Sequence, residues 1–238
     1  MADAKHTFVL VHGAWHGGWC WRRVADLLRA RGHAVFTPTL TGLADKSHLM
    51  SKSIDLDTHA NDIVNLFRWE RLSGAVLVGH SYGGWPVSAA VEKLEDRVSS
   101  VVFLDAFFPR HGQRGLDVQL PENRARIEAA VARGDVSRPA PPASFFNVAD
   151  PADAALVDSL TTPQPLGVSL TRIALAGARE RVGKRAYVRT RGTPNAFFDG
   201  YFDELKAGGN WRMYDEPCGH DMMIDAPERL VEILVECA

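Results

Sequence analysis

Residues 75–84 read AVLVGHSYGG, an apolar run that leads into a glycine-flanked serine. Its apolar first half predicts a strand buried on both faces, as in a parallel sheet. The strand runs straight into Gly79-His80-Ser81-Tyr82-Gly83, and the apolar pattern of a helix follows over Trp85–Leu94. In a strand-turn-helix setting, Gly-x-Ser-x-Gly predicts a serine at strained backbone angles, with small neighbours that let strand and helix approach closely. Ser81 is therefore a candidate nucleophile; the alternative is a turn serine that caps the helix.

A serine hydroxyl becomes a good nucleophile only when a histidine accepts its proton and a carboxylate orients that histidine. His220 lies in EPCGHD, between a predicted strand at Trp211–Tyr214 and a helix that begins near Pro227. Loops at strand ends are the usual location of catalytic side chains. We therefore expect His220 to be the base, against the alternative of a loop histidine with satisfied hydrogen bonds.

A third motif follows the first predicted strand, Thr7–Val11, where residues 12–19 read HGAWHGGW. A glycine-dense loop lets backbone N–H groups face a ligand. Acyl transfer needs two such donors for the developing oxyanion, one after the nucleophile and one from a loop after an early strand. The expected donors are the amides of Tyr82 and Ala14. A plain tight turn is the alternative.

Length and composition set wide limits on the fold. The 238 residues suffice for one α/β core with an insertion, and the 46% apolar content is ordinary for a globular chain. The net charge of −2 gives no reason to expect nucleic acid or a membrane as partner. Cys20, Cys218 and Cys237 lack metal-ligand spacing, which predicts free thiols in a reducing compartment. Without a secretory pattern at the N-terminus, we expect a cytoplasmic protein, with a homodimer left open.

Strand and helix patterns alternate along the chain, which predicts a parallel sheet covered by helices on both faces. The predicted strands are Phe8–Val11, Ala34–Pro38, Ala75–Val78, Val98–Leu104, Arg185–Val188 and Trp211–Tyr214. The predicted helices are Trp21–Arg31, Asp57–Trp69, Trp85–Lys93, Phe198–Lys206 and Pro227–Glu236.

Residues 109–185 interrupt this alternation. They contain helical patterns at Glu122–Arg133 and Asp150–Leu160, and a proline-rich link at 138–143 that favours an extended or disordered chain. A connection of this length predicts a helical cap, inserted into a core formed by residues 1–108 and 186–238.

Together these motifs resemble the α/β-hydrolase superfamily, and within it the small esterase and hydroxynitrile lyase group that includes plant methyl-ester hydrolases and related bacterial esterases. The resemblance rests on FVLVHGAWHGGW at 8–19, GHSYGG at 79–84 and GHD at 219–221, and it covers nearly the whole chain. It implies a mostly parallel sheet flanked by helices, with the cap inserted after the sixth strand as the family counts strands. It also implies a carboxylesterase-type serine hydrolase that takes a small-molecule ester and forms an acyl-enzyme. Because a triad would supply all the chemistry, we expect no metal or cofactor.

Two residues favour the esterase branch over the lyase branch. The plant lyases carry a threonine where this chain has Gly13, and a lysine where it has Asp221. An anion beside the histidine would also repel a cyanide leaving group. A carbon-carbon lyase and a small-molecule receptor with little turnover remain the alternatives.

The orienting acid departs from the family pattern. In most relatives it follows the strand that is Arg185–Arg189 here, yet no Asp or Glu follows, and Thr193 stands at the expected position. Asp105 ends the buried run Val101–Leu104, at the sheet edge where active-site groups collect, so Asp105 is the predicted acid.

Other roles and other acids stay open at this point. Asp105 could instead cap a turn or pair with Arg110. Asp199 and Asp221 are the other candidates for the acid, although Asp221 is close in sequence to the histidine that it would orient.

Aromatic residues cluster where cap and core are expected to meet, which predicts an apolar pocket of modest size. The candidate substrate contacts are Gly13, Trp15, His16, Trp85 and Phe107. The alternative is that these rings belong to the core or brace the oxyanion loop through packing alone.

Overall fold

A six-stranded sheet with all strands parallel forms the centre of the protein; the computed structural model describes residues 5–238. Its strands are β1 (Thr7–Val11), β2 (Ala34–Phe36), β3 (Ala75–His80), β4 (Val98–Leu104), β7 (Lys184–Thr190) and β8 (Arg212–Glu216). They lie side by side in the order β2-β1-β3-β4-β7-β8. All six predicted strands are present, and the predicted α/β class is confirmed.

Alternate residues of each strand enter two different cores. In β1, Phe8 and Leu10 pack on one face of the sheet, whereas Val9 and Val11 pack on the other. All four side chains are fully buried, which explains why the strands read as continuous apolar runs.

Helices cover both faces of the sheet. Helices α1 (Arg22–Ala30) and α9 (Pro227–Glu236) cover the first face, and α2 (Leu56–Trp69), α3 (Gly84–Leu94) and α7 (Ala196–Gly208) cover the second. Local sequence explains where two of them begin. The Asp55 carboxylate accepts a hydrogen bond from the Thr58 amide at the start of α2, and the Asn195 side chain accepts from two amides at the start of α7. The five predicted helices are confirmed to within one or two residues at most ends.

Residues 105–183, between β4 and β7, contain the helices α4 (Pro121–Arg133), α5 (Pro151–Leu160) and α6 (Ala178–Arg181). The same segment contains two short strands, β5 (Ser137–Arg138) and β6 (Gln164–Pro165), which pair as an antiparallel ribbon. The proline-rich link therefore begins in a strand. Part of this segment has its own small core around Ile127 and Leu166. The division into core and cap stays a prediction.

Two four-residue helices, α6 and α8 (Met222–Asp225), were not predicted, because one turn is too short to show helical periodicity. Over residues 5–238, no helix combines the length and apolar character that crossing a bilayer requires.

Candidate active site

Ser81 lies directly after β3, in a sharp turn that leads into α3. Its φ angle is +52°, in the left-handed region that costs energy for a residue with a side chain. The glycines of the motif are needed for space, because a Cβ at Gly83 would lie 2.8 Å from the carbonyl oxygen of His12. A Cβ at Gly79 would lie 2.9 Å from the Gly83 oxygen. Among the described residues, no side chain caps α3, so nothing supports the helix-capping alternative for Ser81.

His220 and Asp105 are in direct contact. The Nδ1 atom of His220 lies 2.6 Å from Oδ2 of Asp105, and both side chains are buried. Asp105 stands at the end of β4 with φ +41°, and its amide donates to the Val188 carbonyl in β7 at 2.7 Å. The predicted base and the predicted acid are thus brought together. The alternative pairing of Asp105 with Arg110 is wrong, because Arg110 pairs with Glu204 at 2.6 Å.

The other oxygen of Asp105 is held by β7. Oδ1 accepts hydrogen bonds from the Arg189 guanidinium at 2.8 Å and from the Thr190 amide at 3.1 Å. Burial by itself raises the pKa of Asp105, but the hydrogen bond and charge of His220, followed by the charge of Arg189, bring that pKa below its ordinary value. Asp105 is therefore an ionised carboxylate, suited to hold Nδ1–H and to stabilise an imidazolium.

The other two candidate acids have different partners. Asp199 accepts from Nε of Arg189 at 2.9 Å, and Oδ2 of Asp221 lies 3.2 Å from Nε2 of His16. Within residues 5–238, neither carboxylate makes a hydrogen bond to the imidazole of His220.

Thr193, at the position expected for an acid, holds the histidine loop instead. Its hydroxyl oxygen accepts from the His220 amide at 3.1 Å and donates to the Phe146 carbonyl, also at 3.1 Å. The same His220 amide donates to the Phe146 carbonyl at 2.9 Å. These bonds fix the backbone of the loop that carries the candidate base.

Three aromatic rings surround the imidazole of His220. Phe146 and Phe198 stack on it with interplanar angles of 12° and 16°. The His80 ring lies 4.5 Å away between centroids, and its Nε2 donates to the His220 carbonyl at 3.1 Å. Burial lowers the pKa of His80 to about 3, so this ring is neutral. The candidate base therefore lies among uncharged aromatic rings.

A buried ion pair lies behind this cluster. Asp221 is fully buried, and burial alone raises its pKa, but the charge and hydrogen bond of His16 lower that pKa to about 2. Burial alone lowers the pKa of His16, but Asp221 raises it above its ordinary value. The pair is thus charged, and it ties the histidine loop to the loop after β1.

His80, His220 and Asp221 are the residues best placed to hold a metal ion, with ligand atoms within 4.8 Å of one another. The present hydrogen bonds do not favour such a site. Nε2 of His80 bonds the His220 carbonyl, Nδ1 of His220 bonds Asp105, and Oδ2 of Asp221 bonds His16, so each of the three side chains already uses one ligand atom.

The glycine-rich loop after β1 lies against the nucleophile. A Cβ at Gly13 would be 2.9 Å from the Cβ of Ser81. The Ala14 amide makes no hydrogen bond to any described protein atom, while its carbonyl accepts from Nδ1 of His16 at 2.8 Å. The other expected donor follows Ser81 in the turn, where the Tyr82 side chain is buried. The loop thus offers a free N–H beside Ser81.

Trp15 ties this loop to residues in and just before β6. It adopts φ +65°, its amide donates to Oε1 of Gln164 at 2.9 Å, and its carbonyl accepts from the Thr162 amide at 2.9 Å. The backbone N–H and C=O of Trp15 are therefore both held by the segment between β4 and β7.

The predicted substrate contacts fall into two groups. Trp85 is 2% exposed, and His16 is 1% exposed with both ring nitrogens engaged, which agrees with the alternative of packing and bracing. Trp15 and Phe107 are only partly buried. Phe107 packs at 5.0 Å on Phe198, one of the rings stacked on His220. Gly13 lies beside Ser81, as described above. Contact of these residues with substrate stays a prediction.

A parallel sheet with a serine elbow after one strand and a histidine loop after the last strand defines the class of α/β hydrolases. The model of the alpha/beta hydrolase family matches residues 8–233, and the chain belongs to this family. The predicted resemblance to its esterase group is confirmed.

Relatives match this chain over nearly its full length. It is 37% identical to the carbendazim hydrolyzing esterase of Nocardioides sp. (strain SG-4G), over 96% of this chain and 98% of that protein. It is 31% identical to salicylic acid-binding protein 2 of Nicotiana tabacum, over 100% of this chain and 98% of that protein. A solved extracellular α/β-hydrolase from a Paenibacillus species has the same fold, with a TM-score of 0.85 and 23% identity, covering 98% of this chain and 99% of that chain.

Proposed function

We propose that this protein hydrolyses a small carboxylic ester through an acyl-enzyme, with Ser81 as nucleophile, His220 as general base and acid, and Asp105 as the orienting carboxylate. One observation carries the proposal: the 2.6 Å contact between His220 and Asp105, at the edge of the sheet where the Ser81 turn emerges. Relatives that are named esterases and methylesterases support the reaction class.

The first half of the proposed reaction forms the acyl-enzyme. The Ser81 oxygen attacks the ester carbonyl carbon while Nε2 of His220 takes the hydroxyl proton. The amides of Ala14 and Tyr82 stabilise the resulting oxyanion. The C–O bond to the alcohol then breaks, and the imidazolium returns the proton to the departing alcohol oxygen.

Water completes the cycle. It attacks the acyl carbon and gives a proton to His220; the bond to Ser81 breaks, the serine oxygen recovers that proton, and the carboxylic acid leaves. In both halves a positive charge forms on His220 beside the ionised Asp105. The neutral His80 ring adds no competing charge.

The test is hydrolysis of p-nitrophenyl acetate by the parent protein and by Ser81→Ala. We expect kcat to fall by about 10⁴-fold or more, because both the nucleophile and the acyl intermediate are lost. Ser99→Ala is the matched control, since Ser99 is exposed and bonds the Gly74 carbonyl at 2.8 Å, far along β4 from the site. A fluorophosphonate should label the parent protein and not Ser81→Ala.

Three results would contradict the proposal. Unchanged hydrolysis by Ser81→Ala would remove Ser81 from the reaction. Tight ligand binding with negligible turnover of any ester by the parent would indicate a receptor. Release of cyanide from mandelonitrile without ester hydrolysis would indicate a lyase.

A further inference from the structure

Three buried N–H donors without acceptors lie on Trp15 and on two residues that contact it. They are Nε1 of Trp15, Nε of Arg138 and Nε2 of Gln164, each shielded from solvent and without a hydrogen-bond partner among the described residues. An unpaired buried polar group costs about 1–3 kcal/mol, so three such donors at one place mark a region that lacks acceptors.

These residues are held together as a unit. Arg138 in β5 and Gln164 in β6 are direct partners in the antiparallel register, which places their side chains on one face of the ribbon. The Arg138 guanidinium carbon lies 4.4 Å from the centroid of the Trp15 ring. Gln164 already uses its oxygen to accept from the Trp15 amide, so its free group is the NH₂ donor. The unit therefore offers donors and no free side-chain acceptor.

Arg138 also carries an unbalanced positive charge. Within residues 5–238, no carboxylate lies within ion-pair distance of its guanidinium, whereas its neighbour Arg133 pairs with Asp135 at 2.6 Å. Burial lowers the pKa of Arg138 to about 10, which leaves it charged at neutral pH. A partly buried cation without a partner is costly, and a bound anion relieves that cost.

Arg138 and Trp15 line a cavity of about 480 Å³, which is large enough for a small ligand. The charged residues around it are Arg126, Arg133, Arg138 and Asp135, so positive charge is in excess.

The cavity lies next to the candidate active site. Trp15 directly follows Ala14, the expected oxyanion donor. Phe145, another wall of the cavity, directly precedes Phe146, which stacks on His220.

We propose that this cavity is a subsite for a carboxylate on the ester substrate, held by Arg138 beside the Trp15 ring. The inference rests on the proposed function, since it assigns the substrate class of the same site. A guanidinium binds a carboxylate through two parallel hydrogen bonds. The preferred substrates are therefore esters that carry a second, ionised acid group.

The test uses two substrate pairs whose members differ by one carboxylate group. In the first pair, mono-p-nitrophenyl glutarate carries a carboxylate at the end of its acyl chain, and p-nitrophenyl valerate carries a methyl group there. In the second pair, the p-carboxyphenyl ester of butyric acid carries a carboxylate on the alcohol side, and the phenyl ester does not. We expect the parent protein to prefer the charged member of at least one pair by tenfold or more in kcat/KM.

The variant Arg138→Met keeps the length of the side chain and removes its charge. For the preferred pair, we expect kcat/KM for the charged ester to fall by about 10- to 100-fold, and for the neutral ester by less than about threefold. Arg138→Lys should recover part of the loss. Arg124→Met is the control, because Arg124 is exposed on α4 and pairs with Glu128 at 3.0 Å.

Equal losses for the charged and neutral members would show that Arg138 is only structural. A parent protein that prefers the neutral member of both pairs would overturn the proposal even if Arg138→Met did not fold.

Calorimetry on Ser81→Ala separates this inference from the proposed function. Monomethyl glutarate and p-carboxyphenyl butyrate are the probes, and Ser81→Ala/Arg138→Met is the comparison. At least tenfold weaker binding of one probe to the double variant supports the subsite even if Ser81 proves not to be the nucleophile. Binding of neither probe, alongside normal Ser81-dependent hydrolysis, would reject the subsite and leave the proposed function standing.

Discussion

Replacing Asp105 by asparagine removes one charge and almost no volume, so it isolates what the carboxylate does for His220. In the proposed reaction, an imidazolium forms 2.6 Å from Oδ2 of Asp105. At an effective dielectric constant of about 20, that contact is worth roughly 6 kcal/mol. Arg189 lies 2.8 Å from the other oxygen and already neutralises part of the charge, which reduces the net loss to about 4–5 kcal/mol. We therefore expect Asp105→Asn to lower kcat by about 10³- to 10⁴-fold.

The assay is the steady-state kcat for p-nitrophenyl acetate, with urea unfolding to follow stability. Asp199→Asn is the matched control: it removes a carboxylate 2.9 Å from the same Arg189 but has no hydrogen bond to His220. Both variants should lose about 1–3 kcal/mol of unfolding free energy, because both leave Arg189 with one carboxylate fewer. Only Asp105→Asn should lose activity, with Asp199→Asn within about threefold of the parent. Comparable kcat values for Asp105→Asn and the parent, or an equal loss in both variants, would show that the Asp105 carboxylate does not act through His220.

Two further predictions concern the loop after β1 and the buried ion pair. Gly13→Ala should lower kcat at least about tenfold and cost about 1–3 kcal/mol of stability, because its Cβ would lie 2.9 Å from the Cβ of Ser81 and 3.0 Å from Nδ1 of His80. The control Gly200→Ala meets no atom within 4 Å in α7 and should stay fully active; similar kinetics for the two variants would argue against close packing at Gly13. The pKa of Asp221 is about 2 in the folded protein, against an ordinary 3.8 in the unfolded chain. Between these two values the unfolded chain binds more protons than the folded protein. The stability that this carboxylate contributes above about pH 4 is therefore lost as the pH falls. Asp221→Asn should remove about 1 kcal/mol of this acid sensitivity in urea unfolding measured from about pH 5 to pH 3, and an unchanged pH slope would contradict the ion pair.

The sequence predicted those parts of the fold and site that depend on local pattern. The elbow at Ser81 follows from two glycines at fixed spacing between an apolar strand and an apolar helix. The position of Asp105 was predicted from the order of the strands rather than from a motif. Neighbouring parallel strands have their carboxyl ends at the same edge of the sheet, so a residue that follows β4 lies near one that follows β3. The contact of Asp105 with His220 agrees with that prediction, while its catalytic role stays a proposal.

Contacts across long stretches of sequence could not be predicted. Arg189 reads as one more arginine at the end of a strand, yet it is 1% exposed and holds Asp105 from 84 residues away. Gln164 stands in a short polar stretch without periodicity, and its contact with Trp15 spans 149 residues. Such partners depend on how segments pack, and a single sequence carries no signal for that.

The hydrogen bonds of Trp15 have a consequence for how this protein changes its substrate range. The backbone N–H and C=O of Trp15 are hydrogen-bonded to Gln164 and Thr162. The loop with the free Ala14 amide is therefore rigidly coupled to the ribbon beside the cavity. A substitution that reshapes the ribbon to admit a bulkier ligand would also displace the Ala14 amide, the donor proposed for the oxyanion. Selectivity and turnover are thereby linked, and new specificity is reached more readily through side chains that line the cavity than through its backbone.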